Sequence, residues 1–203
     1  MVKENRALLL TIPAAFILFY ISFMVPWGIF WIKIALSASI LATMAGFIVP
    51  YVKDKFKIHY IFTGLGSAVI LYIIFYAGNI ILPLVISGSG ERISSVYEMK
   101  GSFSPLIITL LLLFITSPAE ELFWRGFIQK TFSSKLGKWT GYIMATLLYS
   151  AVHVFTFNLP LIMAALVAGA AWGLLYMFEK NIIPVIISHS LWTVLVFIIF
   201  PVA

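Results

Sequence analysis

The chain contains no cysteine, which excludes disulfides, a thiol nucleophile and cysteine-ligated zinc together. Charge is scarce: Asp, Glu, Lys and Arg supply 10% of the 203 residues, whereas soluble domains carry about a quarter. No H-E-x-x-H occurs, so the usual helical signature of a zinc peptidase is missing. Internal repeats and low-complexity segments are lacking, and the sequence reads as one domain over 1–203. What fills the chain is apolar, at 63% hydrophobic content and a mean hydropathy of +1.10. This is the composition of an integral membrane protein. The net charge of +6 forms no basic stripe with interleaved aromatics, and nucleic acid is not expected as a partner.

Seven apolar runs approach the roughly 20 residues needed to cross a hydrocarbon core of about 30 Å. They lie at 7–25, 28–50, 60–86, 104–129, 139–157, 160–178 and 182–201, and predict an all-α, polytopic bundle of about seven transmembrane helices. The first run has no small-x-small cleavage site and is expected to be a retained helix. The third carries Gly78, Asn79 and Pro83, so it reads as one span or as a span followed by an interfacial piece, with Asn79 on a helix–helix face. Lys3, Arg6, Lys53, Lys55, Lys57, Lys130, Lys135, Lys138 and Lys180 fall in alternate connections, against Arg92 and Lys100 in the others. The positive-inside rule then puts the N-terminus in the cytoplasm and the C-terminus outside. Lys33 is expected to snorkel, His59 to sit among headgroups, and the polar stretch 87–104 to be a connector or a lid.

Charges within the spans are costly, at about 2.5–3.5 kcal/mol each on insertion scales. The run Ser117-Pro118-Ala119-Glu120-Glu121-Leu122-Phe123-Trp124-Arg125 nevertheless holds three of them. On a helix, Glu121 and Arg125 share a face while Glu120 is turned about 100° away. One carboxylate can be paired and the other left free. His153 and His189 lie in two further apolar runs, and buried polar groups in a bundle find their cheapest partners in one another. From the expected helix ends, the charged cluster and His189 lie at similar depths and His153 deeper. A cavity shared by Glu120, His153 and His189 is expected to open towards the cytoplasmic half. The bland reading is a structural ion-pair network, or a helix end with Arg125 snorkelling.

The pattern E-E-x-x-x-R at Glu120, Glu121 and Arg125, the aromatic-x-x-x-H at Tyr149 and His153, and H-x-x-x-T at His189 and Thr193 resemble the CPBP family. These are CAAX prenyl proteases and bacteriocin-processing, Abi-type membrane proteins, and the likeness covers about 104–200. Two positions depart from the family: Tyr149 stands where Phe is usual, and Thr193 where Asn or Asp is usual. The resemblance implies an intramembrane endopeptidase that hydrolyses a peptide bond in a membrane-associated or lipidated peptide or protein. It implies Glu120 as general base, His153 as the group that holds water and His189 as oxyanion donor. Glu121, Arg125 and Thr193 would be supporting residues. A metal-independent glutamate protease without cofactor is favoured; the alternative is zinc on Glu120, His153 and His189. A non-catalytic immunity or scaffold protein is the rival outside enzymology.

Overall fold

The computed structural model describes residues 2–48 and 55–202, and Lys53 of the expected basic loops lies outside them. All seven apolar runs are helical. The helices are α1 (Val2–Met24), α2 (Phe30–Ile48), α3 (His59–Val85), α4 (Ser89–Glu98), α5 (Pro105–Leu136), α6 (Lys138–Ala151), α7 (Leu159–Glu179) and α8 (Ile183–Ile199). Among the described residues there is no strand. Among the described residues, five helices are long and apolar enough to cross a membrane.

The starts of α5, α7 and α8 follow from local chemistry. Pro105 occupies the first turn of α5, where its missing N–H is no loss. Asn158 caps α7 by accepting the Leu161 N–H at 3.1 Å. Asn181 Oδ1 accepts the Ile183 N–H at 2.8 Å just before α8. Between α5 and α6, Gly137 turns the chain at φ +89°, a conformation that other residues reach only with strain.

The structure refines five expectations. The third run is one continuous helix through Gly78 and Asn79, with Pro83 in its last turn. The fifth run breaks early: α6 has 14 residues, about 21 Å at helical rise, and the chain then passes through a short 3-10 turn at Val154–Thr156. His153 therefore sits just past the end of a short helix, at the start of that turn. The stretch 87–104 holds the amphipathic helix α4. Lys33 donates to the Val25 carbonyl at 2.5 Å, bracing the turn between α1 and α2, and His59 meets Glu179 at 3.1 Å.

In lipid no hydrophobic driving force separates one apolar face from another, so close approach and polar contacts select the packing. Helix α8 lies along α3, α1 along α2, and α6 along α7. At the α3–α8 crossing a Cβ on Gly64 would meet Ile187 Cβ and the Pro184 carbonyl at 2.8 Å. The carbonyl is backbone and cannot swing aside. Gly64→Ala is expected to destabilise the fold by about 1–3 kcal/mol as an overpacking substitution, read as a lower melting temperature in detergent; an unchanged melt would mean that the two helices separate freely there.

Candidate active site

Helix α5 is not uniform. Wide π-turns at Leu112–Thr116 and Trp124–Gln129 bracket an α-helical segment, Ser117–Phe123. Pro118 has no N–H to continue the regular ladder, and the Ser117 N–H reaches Leu112 O. Such π-turns re-aim side chains and are frequent at functional sites. The segment they bracket carries both glutamates.

Glu121 is completely buried and Arg125 is 1% exposed. Arg125 Nη1 donates to Glu121 Oε1 at 2.9 Å, and Nη2 donates to the Gly169 carbonyl at 3.1 Å. The guanidinium lies 4.8 Å from the Tyr149 ring centre and 5.5 Å from that of Trp172, a cation–π setting. It does not snorkel. The same Glu121 oxygen accepts from His189 Nδ1 at 2.6 Å. A carboxylate only accepts, so Nδ1 carries the hydrogen. The His189 ring also stacks on Trp172, with centres 3.7 Å apart and 19° between planes. Its position is fixed at one nitrogen and over one face.

Glu120 stands apart. Its Oε2 accepts the Tyr149 hydroxyl at 3.1 Å, while Arg125 and His189 both go to Glu121. His153 Nδ1 donates to the Tyr149 carbonyl at 2.9 Å, which leaves Nε2 as the acceptor of the neutral ring. Phe19 and Phe23 of α1 meet the His153 ring edge-to-face at 5.4 and 5.3 Å. Glu120, His153 and His189 all line one cavity of about 360 Å³. Thr193 lines it too, but its hydroxyl donates back to the His189 carbonyl at 2.6 Å, so its proton is spent on its own helix. Asn79, expected on a helix–helix face, lines the cavity as well.

The cavity does not extend towards the basic loops. Its walls are the last turns of α1, the first turns of α2, the second half of α3, the first part of α7 and the latter part of α8. Ile93, Val96 and Tyr97 of α4 cover that end. Tyr97 accepts the Val202 N–H at 3.3 Å, and burial pushes its phenol up to about 12, so it stays neutral there. The expected opening towards the cytoplasmic half is thus reversed relative to the basic loops.

Zinc fits poorly. Among the described residues no three His, Cys, Asp or Glu side chains are grouped so as to hold one ion. The Glu121 oxygen facing this cluster is already shared by Arg125 and His189.

Residues 102–195 match the family model described as type II CAAX prenyl endopeptidase Rce1-like. That stretch is similar to the family. No curated protein and no solved structure gives a significant match. The matched stretch spans α5 to most of α8 and contains both glutamates, Arg125, His153 and His189. Helices α1 to α4, which supply the aromatic wall and the cover, lie before it.

Some of the site went unread in the sequence. Gly169 and Gly173 form a G-x-x-x-G on α7, the small-residue spacing of close helix contacts. Their carbonyls accept from Arg125 and from Gln129, the latter at 2.9 Å, so two residues four apart on α5 match two glycines four apart on α7. A Cβ on Gly169 would meet Tyr149 Cδ1 at 2.9 Å. Trp172 and the phenylalanines of α1 had no signal beyond being aromatic in apolar runs.

Proposed function

We propose that this protein is an intramembrane endopeptidase in which Glu120 activates water against a peptide bond of a membrane-associated or lipidated substrate. The observation that carries the reading is the division between neighbouring carboxylates. Glu121 is committed to Arg125 and His189, while Glu120 keeps one oxygen without a protein partner beside two histidines in the same cavity. Glu120 takes a proton from water as the oxygen attacks the carbonyl carbon, and His153 Nε2 accepts the water's second hydrogen. The negative charge that develops on the carbonyl oxygen is met by His189 Nε2–H, which requires the doubly protonated ring, since Nδ1 already holds a hydrogen. Glu120 then returns its proton to the departing amide nitrogen as the C–N bond breaks. Every step uses side chains of this chain, without metal or cofactor.

The test is cleavage of an acyl-anchored peptide library by purified protein, with Glu120→Ala as the control. Cleavage that persists in the control would reject Glu120 as the base, and its absence from both would favour a binding or immunity protein.

Thr193 separates this chain from the family's pattern, and its hydroxyl geometry makes a specific expectation. Thr193→Val keeps the shape and loses the bond to the His189 carbonyl together with the longer contact to Ser117 Oγ at 3.5 Å, neither of which reaches into the substrate's place. Turnover is therefore expected to stay far above the loss of about 10²–10³ that follows removal of an oxyanion donor. A single-turnover loss of that size would show that the hydroxyl turns to the substrate during reaction.

A further inference from the structure

The geometry points to loading of this site from the face of the membrane opposite the basic loops, so that its substrate is a peptide segment held in the non-cytoplasmic leaflet. This rests on the protease reading above and says on which side that protease works.

Two independent features meet here. The first is charge. Nine of the thirteen Lys and Arg residues belong to the start of α1, the α2–α3 connection, the last turns of α5 with the first residue of α6, and the α7–α8 connection, whereas the α4 end carries Arg92 and Lys100, offset by Glu91 and Glu98. Lys and Arg in short loops stay on the cytoplasmic side. The α4 end is therefore the outer end.

The second is the shape of the interior. From Glu120 the cavity runs only towards α4. Towards the basic loops α5 presents Phe123, Phe127 and Ile128, each at most 1% exposed, and below them Gln129 is tied to the Gly173 carbonyl. None of these four lines the cavity. A peptide arriving from the cytoplasmic face would have to displace this packed plug. At the other end the cavity is lined by α4 together with Met99, Pro160, Leu161 and Val202. Helix α4 is ten residues long, with Ile93, Val96 and Tyr97 inward and Glu91, Ser94 and Glu98 exposed. Left-handed glycines flank it, Gly88 at φ 73° and Gly101 at φ 52°. It is fastened by Asn158 Nδ2, which donates to the Arg92 carbonyl at 2.7 Å, and by the Val202 N–H on Tyr97. Few bonds must part for it to lift.

The absence of cysteine makes the test direct. Single cysteines are introduced as Ser94→Cys on the exposed face of α4 and Thr140→Cys beside Lys138, and sealed right-side-out and inside-out membrane vesicles are treated with a membrane-impermeant maleimide. Ser94→Cys is expected to be modified in right-side-out vesicles and protected in inside-out ones, with Thr140→Cys the reverse. Modification of Ser94→Cys from the cytoplasmic side, or of both positions equally, overturns the inference. In the same sealed vesicles, a palmitoylated fluorogenic peptide chosen for Glu120-dependent cleavage in detergent is added to the outer surface. Right-side-out vesicles are expected to cut it, and inside-out vesicles to cut it only after detergent opens them. The opposite order overturns loading from the outer leaflet. Failure to find any Glu120-dependent cleavage in detergent sinks the protease reading instead, and the labelling still decides which face α4 occupies.

Discussion

Glu120→Gln is expected to reduce single-turnover cleavage by at least the factor of about 10²–10⁴ that a general base contributes, while leaving the melting temperature unchanged or slightly raised. The amide keeps an oxygen to accept the Tyr149 hydroxyl, so the local contact survives. What disappears is the ability to take a proton from water. The protein also sheds a buried negative charge that has no cation bonded to it, since the Arg125 and His189 bonds go to Glu121, and removing an unpaired buried charge does not cost stability. Activity and stability should thus part company at this position. A melt lowered as far as the activity would assign Glu120 a structural role, and retention of a large share of turnover would move the base elsewhere.

Why this much was legible beforehand follows from the solvent. In lipid, a span must satisfy its own backbone, so apolar length translates almost directly into helices. The same logic made the Glu120, Glu121 and Arg125 cluster conspicuous, because each charge there needed a partner. The i, i+4 relation gave the Glu121–Arg125 pair. It could not give His189 as the second donor to that carboxylate, because this contact depends on how α8 is rotated against α5, and rotation is set by small residues such as Gly64 rather than by hydropathy. Helix ends were harder still. Hydropathy continues through Val152, Val154 and Phe155, yet α6 stops at Ala151, since apolar residues serve equally well in a turn that packs Phe155 against Phe16 and Tyr20 of α1. Helix α4 was passed over because it is short and polar overall. Its inward residues make sense only once there is a cavity for them to cover.

Glu121→Gln is expected to be the most damaging single change to the fold. It leaves the Arg125 guanidinium, 1% exposed, without an anion, facing only neutral acceptors (the new amide oxygen and the Gly169 carbonyl) and two aromatic faces. Breaking a buried pair from one side costs about 3–5 kcal/mol, chiefly because the remaining charge is stranded. Activity should fall as well, because His189 loses the carboxylate that holds Nδ1 at 2.6 Å. These two consequences can be pulled apart with the double variant Glu121→Gln/Arg125→Leu. Once neither charge is buried, the stranding penalty is gone and the melting temperature should recover much of its loss, as expected when both members of a buried pair are replaced. Cleavage should not recover, since His189 still lacks the carboxylate that holds it for the charge that develops on the carbonyl oxygen. Thermal melts and single-turnover rates of wild type, Glu121→Gln, Arg125→Leu and the double variant make the cycle. A double variant as unstable as Glu121→Gln would show that the carboxylate serves the fold through His189 rather than through Arg125. Recovery of cleavage along with stability would mean that Glu121 acts only by keeping the protein folded.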